Sequence, residues 1–167
     1  ADANGEAIVW QTGSGAVQHR LRSKARRPWS AAWDRESQAI AWGNTSDYRQ
    51  PNERGPLEYA FSVAELEFID PRPSALLRAS TEFGSVTLRP VDDTTLAVSS
   101  AGRAAVRFQL PSRIDKIRCF TLIDEQTAMV GSDFELLAFD IRSGRAIRAL
   151  HGHAGAVWAV APSPDGR

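Results

Sequence analysis

Short runs of alternating apolar and polar residues, separated by turn-forming residues, recur along the whole chain. Three pairs of such runs are clear: 29–33 with 38–42, 86–91 with 95–98, and 118–123 with 127–130. Short runs rich in β-branched and aromatic residues, joined by Asp, Ser or Gly, are typical of antiparallel hairpins. No segment combines a helical apolar period with a capped start, so the pattern predicts an all-β fold with little helix.

The chain also contains an internal repeat. Residues 9–32 align without a gap to the segment that begins 129 positions later, and 129 is three times 43. The identical pairs in this alignment are Ser14/Ser143, Gly15/Gly144, Leu21/Leu150, Ala25/Ala154, Trp29/Trp158 and Ala32/Ala161. A period of roughly 40–45 residues is typical of propeller blades. Further copies are therefore expected in between, with Phe68 and Phe108 standing where the outer copies have Trp10 and Phe139.

Composition and charge exclude several classes of protein. The chain has 167 residues, of which 43% are hydrophobic and 24% charged, as in an ordinary globular domain. Its 20 Lys and Arg balance 20 Asp and Glu, so no net charge favours a nucleic-acid or membrane partner. Cys119 is the only cysteine, which excludes an intrachain disulfide and indicates a reducing compartment. We therefore predict a cytoplasmic protein that binds neither nucleic acid nor membranes.

A segment towards the C-terminal end resembles the repeat of the WD-repeat family. The resemblance depends on a Gly-His pair, a Val-Trp strand, a Ser-Pro-Asp-Gly turn, an aromatic-Asp pair in place of the family's Trp-Asp dipeptide, and a turn Asp before that aromatic. These residues are Asp133, Phe139, Asp140, Gly152, His153, Val157, Trp158, Ser163, Pro164, Asp165 and Gly166, and Trp10 is the counterpart of Phe139 in the earlier copy.

The resemblance implies a β-propeller of about four blades, each a four-stranded antiparallel sheet. The approximate blades are 1–21 (the outer strands of the first), 22–80 (the second, with an insertion at 44–56), 81–112 (the third), 113–150 (the fourth) and 151–167 (the start of the next). The two ends together lack about one strand, so we expect a fragment, a nicked product or one segment of a longer propeller. An unclosed ring would need the remaining blades or a second copy of the chain to cover its strand edges.

The sequence shows no recognisable catalytic motif. It has no Gly-rich phosphate loop, no Gly-x-Ser-x-Gly elbow and no paired-His metalloprotease helix. His151 and His153 would supply only two metal ligands, so we interpret His153 as the family's capping histidine and predict no metal site. Cys119 lies in an alternating run without a nearby His and is predicted to be a buried thiol. We therefore predict that the chain is not an enzyme and needs no cofactor.

Two polar segments predict where a partner binds. By the resemblance, the basic run 19–27 and the insertion 44–56 both open onto the rim that carries the Gly-His pair. Arg offers forked donors to carboxylates, and Tyr offers contact area at low entropic cost. The predicted partner-binding residues are Arg26, Arg27, Tyr48, Arg49 and Arg54, with Trp29 supporting the loop from beneath. We predict a non-catalytic interaction or scaffold module for an acidic protein, acting as the sensor or regulatory part of a larger protein.

Two alternatives stay open at this point. The basic run is also typical of a solvated strand edge, because basic residues discourage edge-to-edge pairing, and the insertion also suits a mobile loop. The alternative function is a propeller enzyme, or a metal-binding propeller, with a site on the propeller axis. That function requires a cluster such as Asp133 with His153 converging on one point.

Overall fold

The computed structural model describes residues 1–24, 30–43, 57–71, 76–78, 80–102, 104–112 and 115–165, with fifteen β-strands and no helix among them. The strands are β1 (Glu6–Trp10), β2 (Val17–Arg22), β3 (Ser30–Asp34), β4 (Ala39–Gly43), β5 (Tyr59–Ser62), β6 (Glu67–Ile69), β7 (Leu76–Arg78), β8 (Glu82–Phe83), β9 (Val86–Asp92), β10 (Thr95–Ser100), β11 (Val106–Gln109), β12 (Ile117–Leu122), β13 (Thr127–Ser132), β14 (Leu136–Asp140) and β15 (Ala146–Leu150). The predicted all-β class is confirmed. Within the described ranges, the structure holds no helix long and apolar enough to cross a membrane.

The strands form four antiparallel sheets. Sheet I contains β1 and β2, and sheet II has the order β6-β5-β4-β3-β7. Sheet III has the order β11-β10-β9-β8, and sheet IV has the order β12-β13-β14-β15. The three hairpins predicted from the alternation are confirmed as β3–β4, β9–β10 and β12–β13.

Burial falls from the inner to the outer strands of the sheets. Every residue of β4 is buried, and so are all but the first residue of β13. Strands covered on both faces have continuous apolar runs, which explains why their sequences do not alternate strictly. In the edge strands of the same two sheets, β6 is exposed along its whole length and only the last residue of β15 is buried. This gradient is consistent with blade-like sheets whose outer strands face solvent.

Apolar clusters join neighbouring sheets face to face. Phe108 of sheet III stacks on Phe139 of sheet IV, with 5.3 Å between ring centroids. Trp10 of sheet I packs against the cluster of sheet IV that includes Leu136. Trp42 of sheet II shares a third cluster with residues of β1. The sheets are therefore held together mainly by buried apolar area.

Residues from the two ends of the chain pair with each other. Asp2 and Val157 form an antiparallel bridge, and the amide of Trp158 donates a hydrogen bond to the carbonyl of Ala1 at 3.0 Å. The amide of Asp2 also donates to the carbonyl of Glu6 at 2.9 Å. Residues 1–3 therefore lie between the C-terminal segment and β1, and this pairing brings the Gly-His pair next to sheet I.

Of the two inner positions of the internal alignment, one lies on the matching strand. Counted from the hairpins β9–β10 and β12–β13, Phe108 in β11 and Phe139 in β14 both lie on the third strand, and both are buried. Phe68 lies in β6, the fourth strand counted from the β3–β4 hairpin, and is 55% exposed. The error has a physical reason, since adjacent strands of a sheet both carry core-facing apolar residues and an aromatic on either one fits the same pattern.

Candidate functional site

Arg118, near the start of β12, connects the β13–β14 turn to the C-terminal segment. Its Nε and Nη2 atoms lie 2.5 and 3.0 Å from the two carboxylate oxygens of Asp133. Its guanidinium carbon also lies 4.6 Å from the centre of the Trp158 ring. A planar guanidinium can make a bidentate ion pair and stack on an aromatic ring at the same time. We call Arg118, Asp133, Phe134 and Trp158 the Arg118 cluster.

The turn that carries Asp133 and Phe134 is fixed by partly buried hydrogen bonds. Asp115 is 3% exposed, and its Oδ1 accepts the backbone amides of Lys116 and Asp133, both at 2.9 Å. The Ser132 hydroxyl accepts the amide of Glu135 at 3.0 Å, which closes the turn. Phe134, at the tip of this turn, is 62% exposed. The turn thus holds an aromatic ring outward, where the fold does not bury it.

The Arg118 cluster lies at the end of sheet IV where β12 begins and β13 turns into β14. At the corresponding end of sheet II, Ser30 of β3 and Gly43 of β4 are register partners. In the sequence, the segment 25–29 directly precedes Ser30 and the segment 44–56 directly follows Gly43. The predicted partner-binding residues Arg26, Arg27, Tyr48, Arg49 and Arg54, and Trp29 beneath them, belong to these segments and lie outside the described residues.

A second polar cluster is buried between β1 and the Gly-His pair. His153 Nδ1 lies 3.0 Å from Asp2 Oδ2, and the two side chains are only 2% and 0% exposed. The Trp10 ring packs edge-on against the imidazole, with 5.0 Å between centroids. Glu6 completes the cluster, and Arg20 Nη1 lies 2.7 Å from its Oε2. We call Asp2, Glu6 and His153 the buried acid–His cluster.

The protonation state of this cluster follows from burial and hydrogen bonding. Burial opposes a charge on Asp2, but hydrogen bonds from His153 and from the backbone amides of Glu6 and Asn4 outweigh it and lower the pKa of Asp2. Burial lowers the pKa of His153 more than the Asp2 carboxylate raises it. Near neutral pH the pair is therefore a carboxylate and a neutral imidazole, which donates its Nδ1 proton to Asp2.

Sequence reasoning found His153 but missed its partner. At the repeat offset of 129 positions, Asn4 lies opposite the turn residue Asp133, whereas the carboxylate that meets His153 comes from Asp2. No local pattern marks Asp2, because its contact with His153 depends on the pairing of the chain ends. His151 is exposed and takes part only through its carbonyl, which accepts the Trp10 indole N–H at 3.3 Å.

The other motif residues make local contacts. The Asp140 carboxylate accepts the amide and hydroxyl of Ser143 at 2.7 and 2.6 Å, and these bonds lower the pKa of Asp140. Asp165 accepts the Ser163 hydroxyl at 2.7 Å, within the predicted turn. The carbonyl of Gly152 accepts Arg20 Nη1 at 2.9 Å. Gly166 lies outside the described residues, and Phe139 is buried in the core between sheets III and IV.

Cys119 is confirmed as a buried thiol. It is 2% exposed, and its Sγ donates a weak hydrogen bond to the carbonyl of Val157 at 3.3 Å. Burial raises the pKa of the Cys119 thiol to about 12. A thiol that stays protonated at neutral pH is a poor nucleophile.

Comparison with known proteins assigns no relative. No protein-family profile matches the chain, and no curated protein matches it.

Proposed function

We propose that the chain is a protein-interaction module of WD-repeat β-propeller type, and that the Arg118 cluster forms part of its binding surface. The observation that supports this most is Phe134, which is 62% exposed on a turn fixed by Asp115. An aromatic ring that is already held in place loses little conformational entropy when a partner buries it. The WD-like motif residues and the blade-like sheets support the propeller type.

The polar residues around Phe134 suit a binding surface. Arg118 and Asp133 are each about one-fifth exposed, at 22% and 23%, and they neutralise each other. Phe134, which directly follows Asp133, therefore adjoins an ion pair with no net charge, which a partner can cover without leaving an unpaired charge. The basic segment 25–29 directly precedes β3 in the sequence, and the positive charge of its two arginines would favour an acidic protein partner.

A catalytic role has little support from the described residues. Asp133 bonds to Arg118 and His153 bonds to Asp2, so the Asp133–His153 centre required by the enzyme alternative would have to break both pairs. Cys119 is a buried, protonated thiol. The proposal is thus a non-enzymatic, cytoplasmic scaffold, acting as the sensor or regulatory part of a larger protein in which further blades or a second copy complete the ring.

Affinity capture with chemical crosslinking in cells of the source organism tests this proposal. We expect at least one protein to bind the wild type and to be lost from Phe134→Ala. Ile147→Ala is the matched control, because Ile147 is equally apolar and 60% exposed but lies on the edge strand β15. With the purified partner, Phe134→Ala should raise Kd at least tenfold, and urea unfolding should show that both variants are as stable as the wild type. Identical capture by Phe134→Ala and the wild type would contradict the proposal.

A further inference from the structure

We propose that the buried acid–His cluster binds one divalent cation of the Zn²⁺ class. Asp2, Glu6 and His153 each offer one ligand atom, and these atoms all lie within 4.8 Å of one another. Ligand atoms about 2.0–2.1 Å from a tetrahedral ion are about 3.3 Å apart. A small contraction of the cluster would therefore bring all three into the coordination sphere, with water as a fourth ligand.

In each carboxylate, one oxygen is held by hydrogen bonds to groups outside the cluster, and the other oxygen is available to an ion. Asp2 Oδ1 accepts the amides of Asn4 and Glu6 at 2.9 and 3.1 Å, while Oδ2 meets His153. Glu6 Oε2 accepts Arg20, while Oε1 faces only the 90% exposed Arg22 side chain, at 3.6 Å, within the described part of the chain. Metal ligands are typically oriented by such outer hydrogen bonds. Asp2 Oδ2 and Glu6 Oε1 are therefore the proposed oxygen ligands.

The imidazole supplies a second, independent observation. His153 Nε2 is buried, and it has no hydrogen-bond partner among the described residues. Buried polar atoms without a partner are rare in folded proteins. With its proton on Nε2 the neutral ring can give the Nδ1 lone pair to the ion, and the Nε2 proton would then need an acceptor such as an ordered water. The ring stays neutral in this step, and no proton leaves the protein.

The charge and chemistry of the donor set select the class of ion. Glu6 is paired with Arg20 and, at 3.6 Å, with the exposed Arg22, whereas the Asp2 carboxylate is hydrogen-bonded to a neutral imidazole. A divalent ion would compensate the remaining negative charge, which is costly to bury alone. One imidazole with two carboxylates suits Zn²⁺ better than Ca²⁺ or Mg²⁺, which prefer oxygen ligands alone. The bound ion would clamp residues 2–6 to the Gly-His pair.

Isothermal titration calorimetry of the chelator-treated, tag-free chain with ZnCl₂ at pH 7.5 tests the inference. We expect saturable binding with one ion per chain and a rise in melting temperature. Glu6→Gln keeps the Asp2–His153 pair but removes one ligand charge, and should weaken binding by ten- to a hundredfold or more. Arg20→Ala removes the Glu6 ion pair but keeps all three donors, and should bind Zn²⁺ at least as tightly as the wild type. His151→Ala, which removes an exposed neighbouring imidazole, should bind as the wild type does.

Several outcomes would overturn the site. One is that the wild type takes up no saturable equivalent of Zn²⁺. Another is that Glu6→Gln binds Zn²⁺ as tightly as the wild type does. A third is that Arg20→Ala loses as much Zn²⁺ affinity as Glu6→Gln. Loss of binding in His151→Ala would assign the ion to surface histidines instead. Near-UV circular dichroism establishes that each variant is folded before titration. Because these measurements involve no protein partner, their result is independent of the proposed interaction function.

Discussion

Asp2 Oδ2 lies 3.0 Å from His153 Nδ1, although 151 positions separate the two residues in the sequence. Both side chains are almost fully buried, and Trp10 packs against the imidazole. The pair joins the first residues of the chain to the Gly-His segment, on the same side of sheet I as the bridge between Asp2 and Val157. A neutral imidazole and a carboxylate hold this junction together, which makes its stability dependent on pH.

Acidification should destabilise the protein through His153. Burial holds the pKa of folded His153 below the value of about 6.5 expected in the unfolded chain. Between these two values the unfolded state binds more protons, so the free energy of unfolding falls as the pH drops below about 6.5. The depressed pKa of Asp2 adds a further loss at lower pH, once its carboxylate is protonated. The urea midpoint, measured with a chelator present, should therefore be lower at pH 5 than at pH 7.5.

Two variants assign this pH dependence to its source. His153→Gln should be less stable at pH 7.5 and should lose most of the change between pH 7.5 and pH 5. His151→Gln removes an exposed histidine and should keep the wild-type pH dependence. A wild-type midpoint that does not change over this range would contradict the prediction.

Phe139→Ala should be among the most destabilising core substitutions. The ring is 2% exposed and stacks on Phe108 across the interface of sheets III and IV. Removing a buried aromatic ring costs about 3–5 kcal/mol, because apolar contacts are lost and a cavity remains. Urea unfolding should show a loss of this size for Phe139→Ala and a change within about 0.5 kcal/mol for exposed Ile147→Ala. Equal effects of the two substitutions would mean that sheets III and IV are not packed as described.

Gly131→Ala should destabilise the contact between β13 and the C-terminal segment. A methyl group at this position would lie 2.6 Å from Cys119 Sγ and 2.9 Å from the carbonyl oxygen of Val157. Overpacking of this kind costs about 1–3 kcal/mol, because the backbone of the neighbouring segment must move. Gly13→Ala is the control, since nothing lies within 4 Å of its added methyl group. Thermal melting measures the effect of both substitutions. An equal fall in Tm for the two variants would contradict the described position of Val157.

Charge reversal of Arg26 and Arg27, combined with removal of residues 47–54, should weaken binding of an acidic partner at least tenfold. The two segments flank the register partners Ser30 and Gly43 in the sequence, and the combined variant alters both of them. Titration with the purified partner measures the affinity, and Tm should stay within a few degrees of the wild type. Unchanged binding would remove these residues from the interface. A large fall in Tm would instead assign the insertion a structural role.

Buried Asp115 should influence partner binding without touching the partner. Its Oδ1 holds the amides of Lys116 and Asp133 and so fixes the turn that carries Phe134. Asp115→Ala leaves both amides without this acceptor, which costs about 1–3 kcal/mol of stability. Loosening the turn should also raise the Kd of a partner that contacts Phe134. Wild-type affinity in a folded but less stable Asp115→Ala protein would show that the partner does not depend on this turn.

The sequence by itself determined the local structure. Alternation and turn residues predicted the hairpins β3–β4, β9–β10 and β12–β13, because side-chain direction along a strand and the geometry of a tight turn depend on adjacent residues. The burial of Cys119 followed in the same way from its place in an alternating run. Where the second repeat is lengthened by its insertion, the same signal could not distinguish neighbouring strands, and Phe68 lies one strand beyond the expected position, whereas Phe108 lies on the strand that matches Phe139.

Only the tertiary structure decided which distant residues meet. Asp2 reaches His153 because the two ends of the chain pair beside sheet I, and Arg118 reaches Trp158 because the C-terminal segment runs past β12. Each of these contacts joins residues far apart in sequence, and depends on how whole sheets pack through apolar surfaces that look alike in sequence. The exposure of Phe134 has the same origin, since alternation marks an apolar residue but cannot show that no neighbouring sheet covers it.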